Sequence, residues 1–338
     1  MILILSHNNI DEPTNDVLDW IRFYNFSALR INGNVFDFGK DFSQYILKEK
    51  LKFDEEEIQL NNVSVVFYRR WVSSNRLPAL SIALKEQDMD DEAIIATREY
   101  LSFFSSEFHS VSKTLFNTLY DKKWIPHFNL ARGNLNKLRV LKIAKKIGLN
   151  VPDTLITSSK RDALEFLSNH VKVINKAIAD VDLIYFKGHK LNVLTKEVSR
   201  DDLEKLNDTF FPSLFQEKVE KTIEIRTFFI EDDYYSMAIF SQRDSSTSID
   251  YRNYNLSKPN RFVPFNLPYD IIKKLKKLMK KLELNTGSID LMLEKYTNNY
   301  FFLEVNPVGQ LGMVSANCNY HLESIIAQRL IAYEQKNI

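Results

Sequence analysis

The chain has 338 residues, 44% of them hydrophobic and 26% charged, and its 45 Lys+Arg against 44 Asp+Glu give a net charge of +1. This composition suits a packed globular protein and excludes both disorder and a global field that would draw the chain to nucleic acid or an anionic membrane. Its 8 glycines never stand within two residues of each other, which excludes the clustered-glycine G-x-G-x-x-G and Walker phosphate loops. The apolar run from Met1 to Leu5 has no basic residue before it and enters polar His7-Asn8-Asn9, so it reads as a strand over 2–5 and not as a signal peptide. A helix is expected over 15–24, a strand over 28–32 and a second β run over 63–68, which leads into Arg69-Arg70-Trp71. From 90 to 119, Ile94, Ile95, Tyr100, Leu101, Phe104, Phe108, Val111, Leu115 and Leu119 recur at helical spacing. That aromatic stripe reads as core; the alternative is an exposed dimer seam or a peptide groove.

Asn134 or Asn136 can cap the next helix, whose apolar face is Leu138, Leu141, Ile143 or Ala144, and Ile147. Gly148 stops it and Pro152 follows. A helix over 161–169 leads to a strand over 171–175, and 182–186 with 190–194 form a hairpin around Lys187-Gly188-His189. Beyond it come strands over 213–219, 224–230 and 234–240, a helix over 269–282, strands over 288–293 and 300–305, and a closing helix near 322–335. The lysines from Lys273 to Lys281 alternate with Ile272, Leu275 and Leu278, which reads as a solvated helix face. The whole is an α+β protein of three units, 1–120, 121–195 and 196–338. No apolar run approaches the ~18 residues of a membrane span, and the expected location is cytoplasmic. Cys318 is the only cysteine, and the 6 His show no H-x-x-x-H spacing, so zinc chemistry is not expected.

The stretch that carries chemistry runs from Gly287 to Pro307. Glu304 and Asn306 are two apart in a strand and leave the same face, with Leu303 and Val305 on the other. Asp290 is flanked by apolar Ile289 and Leu291 in the preceding strand. A hairpin turning near 297–299 sets Asp290 opposite 304–306, giving hard oxygen ligands that suit Mg²⁺. The bland alternative is an amphipathic hairpin with an ordinary polar face.

Upstream, Gln216-Glu217-Lys218-Val219 ends one β run, and Glu224-Ile225-Arg226 opens the next. With Asn136-Lys137, Gly148-Leu-Asn-Val-Pro152-Asp-Thr154, Val173-Ile-Asn-Lys176 and the Asp290, Glu304-x-Asn306 set, the chain resembles the ATP-grasp superfamily over roughly 134–312. The resemblance implies a pre-ATP-grasp α/β domain over 1–120, then a central and a C-terminal α+β subdomain. It implies that the 216–219 hinge meets adenine, Glu224 the ribose, Lys137 and Lys176 the phosphates, and Arg226 the transferred phosphate. Asp290, Glu304 and Asn306 would hold Mg²⁺, two ions in that family. The flap departs from the pattern: Ala177 replaces the usual proline, and Asp182, Lys187 and His189 stand where glycines are common.

Ser241-Gln242-Arg243, Asp250-Tyr-Arg252, Tyr68-Arg69-Arg70-Trp71 and Asn306-Pro-Val-Gly-Gln310 further resemble the peptide maturases that make graspetides, the microviridin-type macrocyclases. This implies an ATP-dependent ligase that activates Asp or Glu side chains of a precursor peptide and closes ω-ester or ω-amide rings with Ser, Thr or Lys. Arg226 and Arg252 would meet the substrate carboxylate and its acyl phosphate, and Asp250 would serve as base. The implied partner is a peptide with a leader and an acidic, Thr-rich core, and the long aromatic helix suits a homodimer. The alternatives are a ligase for a free amino acid or small carboxylate, and a non-catalytic ATP- or peptide-binding module.

Overall fold

Every residue of the first strand, β1 (Ile2–Ser6), is buried. The computed structural model describes residues 1–7, 11–36, 39–69, 71, 90–130, 135–179, 184–186, 189–191, 195–242 and 259–336. These fall into two compact units: 1–129 with 321–338, and 130–320.

In the first unit, α1 (Glu12–Phe23) carries the chain from β1 to the parallel strand β2 (Ala28–Asn32), burying Val17, Leu18 and Ile21. Three short strands, β3 (Phe42–Tyr45), β4 (Lys50–Phe53) and β5 (Glu56–Gln59), make an antiparallel meander. Then β6 (Val65–Tyr68) returns beside β1, and β7 (Lys123–Ile125) completes a four-stranded sheet in the order β2-β1-β6-β7. Between these last two strands lies α2 (Asp91–Thr118), capped by the Asp90 side chain, which accepts from the Ala93 N–H.

The aromatic stripe on α2 is core only at its end. Leu115 and Leu119 are fully buried, but Ile95 and Tyr100 expose 56% and 57% of their surface, and Ile94, Leu101, Phe104, Phe108 and Val111 are half-buried. Helical spacing identifies an apolar face without saying what covers it. The closing helix, Leu322–Gln335, was expected with the 196–338 subdomain and packs instead on the first unit. There Tyr24 Oη lies 2.8 Å from Ser324 Oγ, and the N-terminal ammonium pairs with Glu334 at 3.2 Å.

The second unit starts with α3 (Lys137–Ile147), and both of its ends follow local rules. The Asn136 side chain accepts from the Arg139 N–H, and Gly148, at φ +92°, takes the left-handed conformation that ends the helix. Two sheets follow, so the expected boundary at 195/196 falls inside this unit.

The smaller sheet contains β8 (Thr154–Ser159), β9 (Val173–Lys176), β12 (Lys196–Val198) and β13 (Thr209–Glu217) in the order β12-β9-β13-β8. It packs α4 (Lys160–Ser168) and α5 (Arg200–Glu204) through Ala163, Val173, Leu203 and Phe215. The expected hairpin is present as β10 (Ile184–Phe186) and β11 (His189–Leu191), with Phe186 opposite His189.

The larger sheet is β14 (Lys221–Ile230), β15 (Asp233–Phe240), β16 (Arg261–Phe265), β17 (Thr286–Glu294) and β18 (Tyr300–Asn306), ordered β16-β15-β14-β17-β18. One face packs Ile223, Ile225, Ile289, Leu291 and Phe302 against α3 and α6 (Tyr269–Lys281). The exposed Lys273, Lys277, Lys280 and Lys281 of α6 form the expected solvated face, while Leu275 and Leu278 are fully buried. After β18 the chain turns into α7 (Leu311–Cys318). No helix among the described residues is long and apolar enough to cross a membrane.

Candidate active site

The inner face of the larger sheet is apolar, and the alternate residues at the middle of its central strands, Glu224 and Arg226 on β14 and Ser288 and Asp290 on β17, leave the other face and are polar. Register sets Arg226 of β14 opposite Asp290 of β17, and Asp290 opposite Glu304 of β18. One row across three strands therefore carries a guanidinium and two carboxylates. Asn306 lies opposite Ser288, one same-face step further along.

A register shift between Asp290 and Leu291 gives β18 an extra residue, so Phe302, not the expected Leu303, joins Val305 in the core. The bulge leaves Glu304 and Asn306 on the polar face. Gly287 makes room for this edge, since a Cβ there would lie 2.7 Å from the Asn306 carbonyl oxygen.

Arg226 is 8% exposed and grips Asp290 with both arms of its fork, Nε to Oδ1 at 2.8 Å and Nη2 to Oδ2 at 2.7 Å. Its Nη1 donates to Gln310 Oε1 at 2.9 Å. Lys137, the first residue of α3, brings its ammonium to 3.5 Å from Glu304 Oε2. The Asn306 amide oxygen accepts from the N–H groups of Val308 and Gly309 at 3.1 and 3.2 Å, which folds the turn after β18.

The donor set fits Mg²⁺ in its two carboxylates, which stand in register and are hard ligands. The neighbouring Asn306 amide oxygen is also hard, but its two lone pairs meet the Val308 and Gly309 N–H groups, so it would join the ion only by releasing one of them. A carboxylate offers about four lone-pair positions, so Arg226 leaves Asp290 with acceptor capacity to spare. Mg²⁺ characteristically takes its other ligands from water and phosphates.

Two residues before Arg226 on β14, Glu224 sits deeper. Its Oε1 accepts from Lys221 Nζ at 2.8 Å and from Ser241 Oγ at 2.7 Å. Burial pushes the Glu224 carboxyl above the usual carboxylate range, against the pull of Lys221 and Ser241, and the charge of Asp290 pushes the same way.

The segment 216–219 runs off the end of β13 on the smaller sheet. Gln216, 2% exposed, donates to Thr154 Oγ1 at 2.9 Å. The Glu217 and Lys218 N–H groups are spent on the carbonyls of Asp153 and Lys172, and the Lys218 ammonium pairs with Glu197 at 2.6 Å.

No family model and no curated protein sequence matches the chain. Solved structures do match it. The Chryseobacterium gregarium RiPP-associated ATP-grasp ligase, in complex with ADP and a leader and core peptide, is 25% identical with a TM-score of 0.80, over 98% of this chain and 96% of that one. Macrocyclase MdnC from Microcystis aeruginosa MRC, bound with precursor peptide MdnA, is 23% identical with a TM-score of 0.78, over 98% and 99%. The ATP-grasp ligase PsnB, complexed with minimal precursor, Mg and ADP, is 16% identical with a TM-score of 0.71, over 98% and 97%.

The chain has the ATP-grasp fold.

Of the expected site residues, Arg226 pairs with Asp290 and Lys137 with Glu304, the register of β17 and β18 sets the two pairs side by side, Asn306 lies one step further along, and Glu224 shares the face of β14. Gln216 and Glu217 end β13 of the smaller sheet, Lys218 and Val219 follow it, and Lys176 ends β9 opposite Leu214. Asp250 and Arg252 lie outside the described residues, as do Asp182, Lys187, Gly188 and Arg243 of the flap and maturase motifs.

Lys221 escaped the sequence reading because Lys-Thr-Ile-Glu looked like a polar break between strands. In fact β14 begins at Lys221, which is 6% exposed. Its only sequence signal is the Glu three residues on.

Proposed function

We propose that the chain is an ATP-dependent ligase that activates Asp or Glu side chains of a ribosomal precursor peptide and closes ω-ester or ω-amide rings. The observation that carries this reading is the Arg226–Asp290–Glu304 row, set on a fold shared over 98% of the chain with a peptide-bound ATP-grasp ligase. In the first step a peptide carboxylate oxygen bonds to the γ-phosphorus of ATP as the bond to the bridging oxygen breaks, giving an acyl phosphate and ADP. A Ser or Thr hydroxyl or a Lys amine then bonds to the acyl carbon, phosphate leaves, and the attacking group gives up its proton to a base. No enzyme nucleophile is required.

Asp290, Glu304 and Asn306 would hold Mg²⁺, two ions in this reading, whose charge offsets that of the phosphate oxygens. Lys137 and Lys176 bind phosphate, Arg226 and Arg252 face the substrate carboxylate and its phosphorylated form, and Asp250 takes the proton. At the hinge, Gln216 braces the strand through Thr154. With the Glu217 and Lys218 N–H groups engaged, the Val219 N–H is the donor that meets the adenine edge. Glu224 faces the ribose. The leader and an acidic, Thr-rich core, a homodimer seamed along α2 and a cytoplasmic location complete the proposal.

The test is a pair of variants, Asp290→Asn and Glu304→Gln, which should fold normally and lose Mg²⁺-dependent ATP consumption. Unchanged consumption would remove the metal site. Mass spectrometry of a candidate precursor peptide with ATP should show the loss of one water per ring. ATP turnover driven by free amino acids would favour a small-carboxylate ligase instead, and ATP bound without turnover would favour a binding module.

A further inference from the structure

We propose that Gln310 is a positioning residue for the Arg226 guanidinium, acting as a neutral acceptor that orients the charge without cancelling it. The proposal rests on the site described above and extends it to a residue outside the three proposed metal ligands. On Arg226, Nε and Nη2 are held by the Asp290 carboxylate, and Nη1 donates to Gln310 Oε1 at 2.9 Å, with the Met313 thioether a longer and weaker acceptor at 4.0 Å. A fork gripped on one edge alone can pivot about that edge. A second acceptor on Nη1 fixes its plane.

The delivery of Gln310 is built into the chain. The turn after β18 is closed on Asn306, whose backbone carbonyl and side-chain oxygen both accept from the Gly309 N–H, at 3.1 and 3.2 Å. Gly309 has φ +31°, and a Cβ there would run into Ser288 Oγ and lie 2.7 Å from Ser288 N. Only glycine lets the turn lie flush on β17, two residues before Asp290, so that the next residue reaches Arg226. Gln310 is itself exposed, which makes its substitution compatible with folding.

The experiment compares full-length Gln310→Leu and Gln310→Glu with wild type, in two readouts. In the ligand-free chain, NMR of the Arg226 side chain reports hydrogen exchange and rotation of the guanidinium. Leu should speed both, and Glu, which keeps an acceptor, should restore them. In Mg²⁺·ATP consumption, Leu should lower kcat on the order of 10²-fold with little change in KM for ATP. Glu should remain low in kcat despite the restored NMR signature, because its charge offsets that of Arg226. Wild-type NMR behaviour and kcat in Gln310→Leu, or wild-type kcat in Gln310→Glu, would overturn the proposal. Arg226→Met separates the failures. If it abolishes consumption while Gln310→Leu is silent, only the positioning role falls; if Arg226→Met also keeps full activity, the site itself is misassigned.

Discussion

Two ion pairs share one face of the larger sheet and differ in depth. Arg226 and Asp290 leave 10% and 20% of their side chains exposed, whereas Lys221 and Glu224 leave 4% and 11%. Asp290 spreads its charge over a two-armed grip and keeps contact with solvent. Glu224 concentrates two donors on one oxygen, and burial pushes its carboxyl upward. Both carboxylates follow from the same alternation along neighbouring strands, so position in the sheet does not distinguish their roles. Access does: a carboxylate that reaches solvent can take a second cation, and one that does not depends on the cation built in beside it.

Removing the cation from each pair tests this directly. Arg226→Met should cost about 10³-fold or more in turnover, the scale of a lost arginine in phosphoryl transfer. Its lowered melting temperature should recover in part when Mg²⁺ is added without nucleotide, since the ion can replace the guanidinium at Asp290. Lys221→Met strands the deeper carboxylate and should cost roughly 3 kcal/mol of stability, read by denaturant unfolding, with no recovery in Mg²⁺. Equal recovery in both variants would erase the distinction drawn from depth.

How far the sequence reached can be followed along the same strands. The hairpin that sets Asp290 opposite Glu304 was legible, because each strand has its own period-two pattern and the polar 297–299 turn joins them. The bulge was not: Phe302 and Leu303 are both apolar, and either could have pointed inward until the pairing on β17 was known. Asn136 and Gly148 were readable because caps act within one turn of chain. The stripe on α2 and the burial of Lys221 depend on what packs against them, which no local pattern records. The meander β3–β5 went unseen because its Lys, Gln and Glu residues surround only Leu51, Phe53 and Ile58 as buried anchors. Glu304 stood out from strand alternation and Lys137 from the resemblance, but their contact spans the unit and emerged only from the fold.

The smallest effect tests depth without removing a cation. Glu224 has a folded carboxyl pKa raised above its ordinary value, by burial first and the Asp290 charge last. The folded state therefore keeps a proton that the unfolded chain has released, and folding loses stability as pH rises from about 4, the ordinary glutamate value, through the raised one. Above that window the loss is complete and the curve flattens. Glu224→Gln removes the titration, so its stability relative to wild type should climb with pH across the same window and then level off, as followed by denaturant unfolding at successive pH values. A flat difference would mean that Lys221 and Ser241 hold Glu224 near its ordinary value, and that its depth gives it no character distinct from Asp290. A difference falling with pH would reverse the sign and make Glu224 the better-stabilised anion of the two.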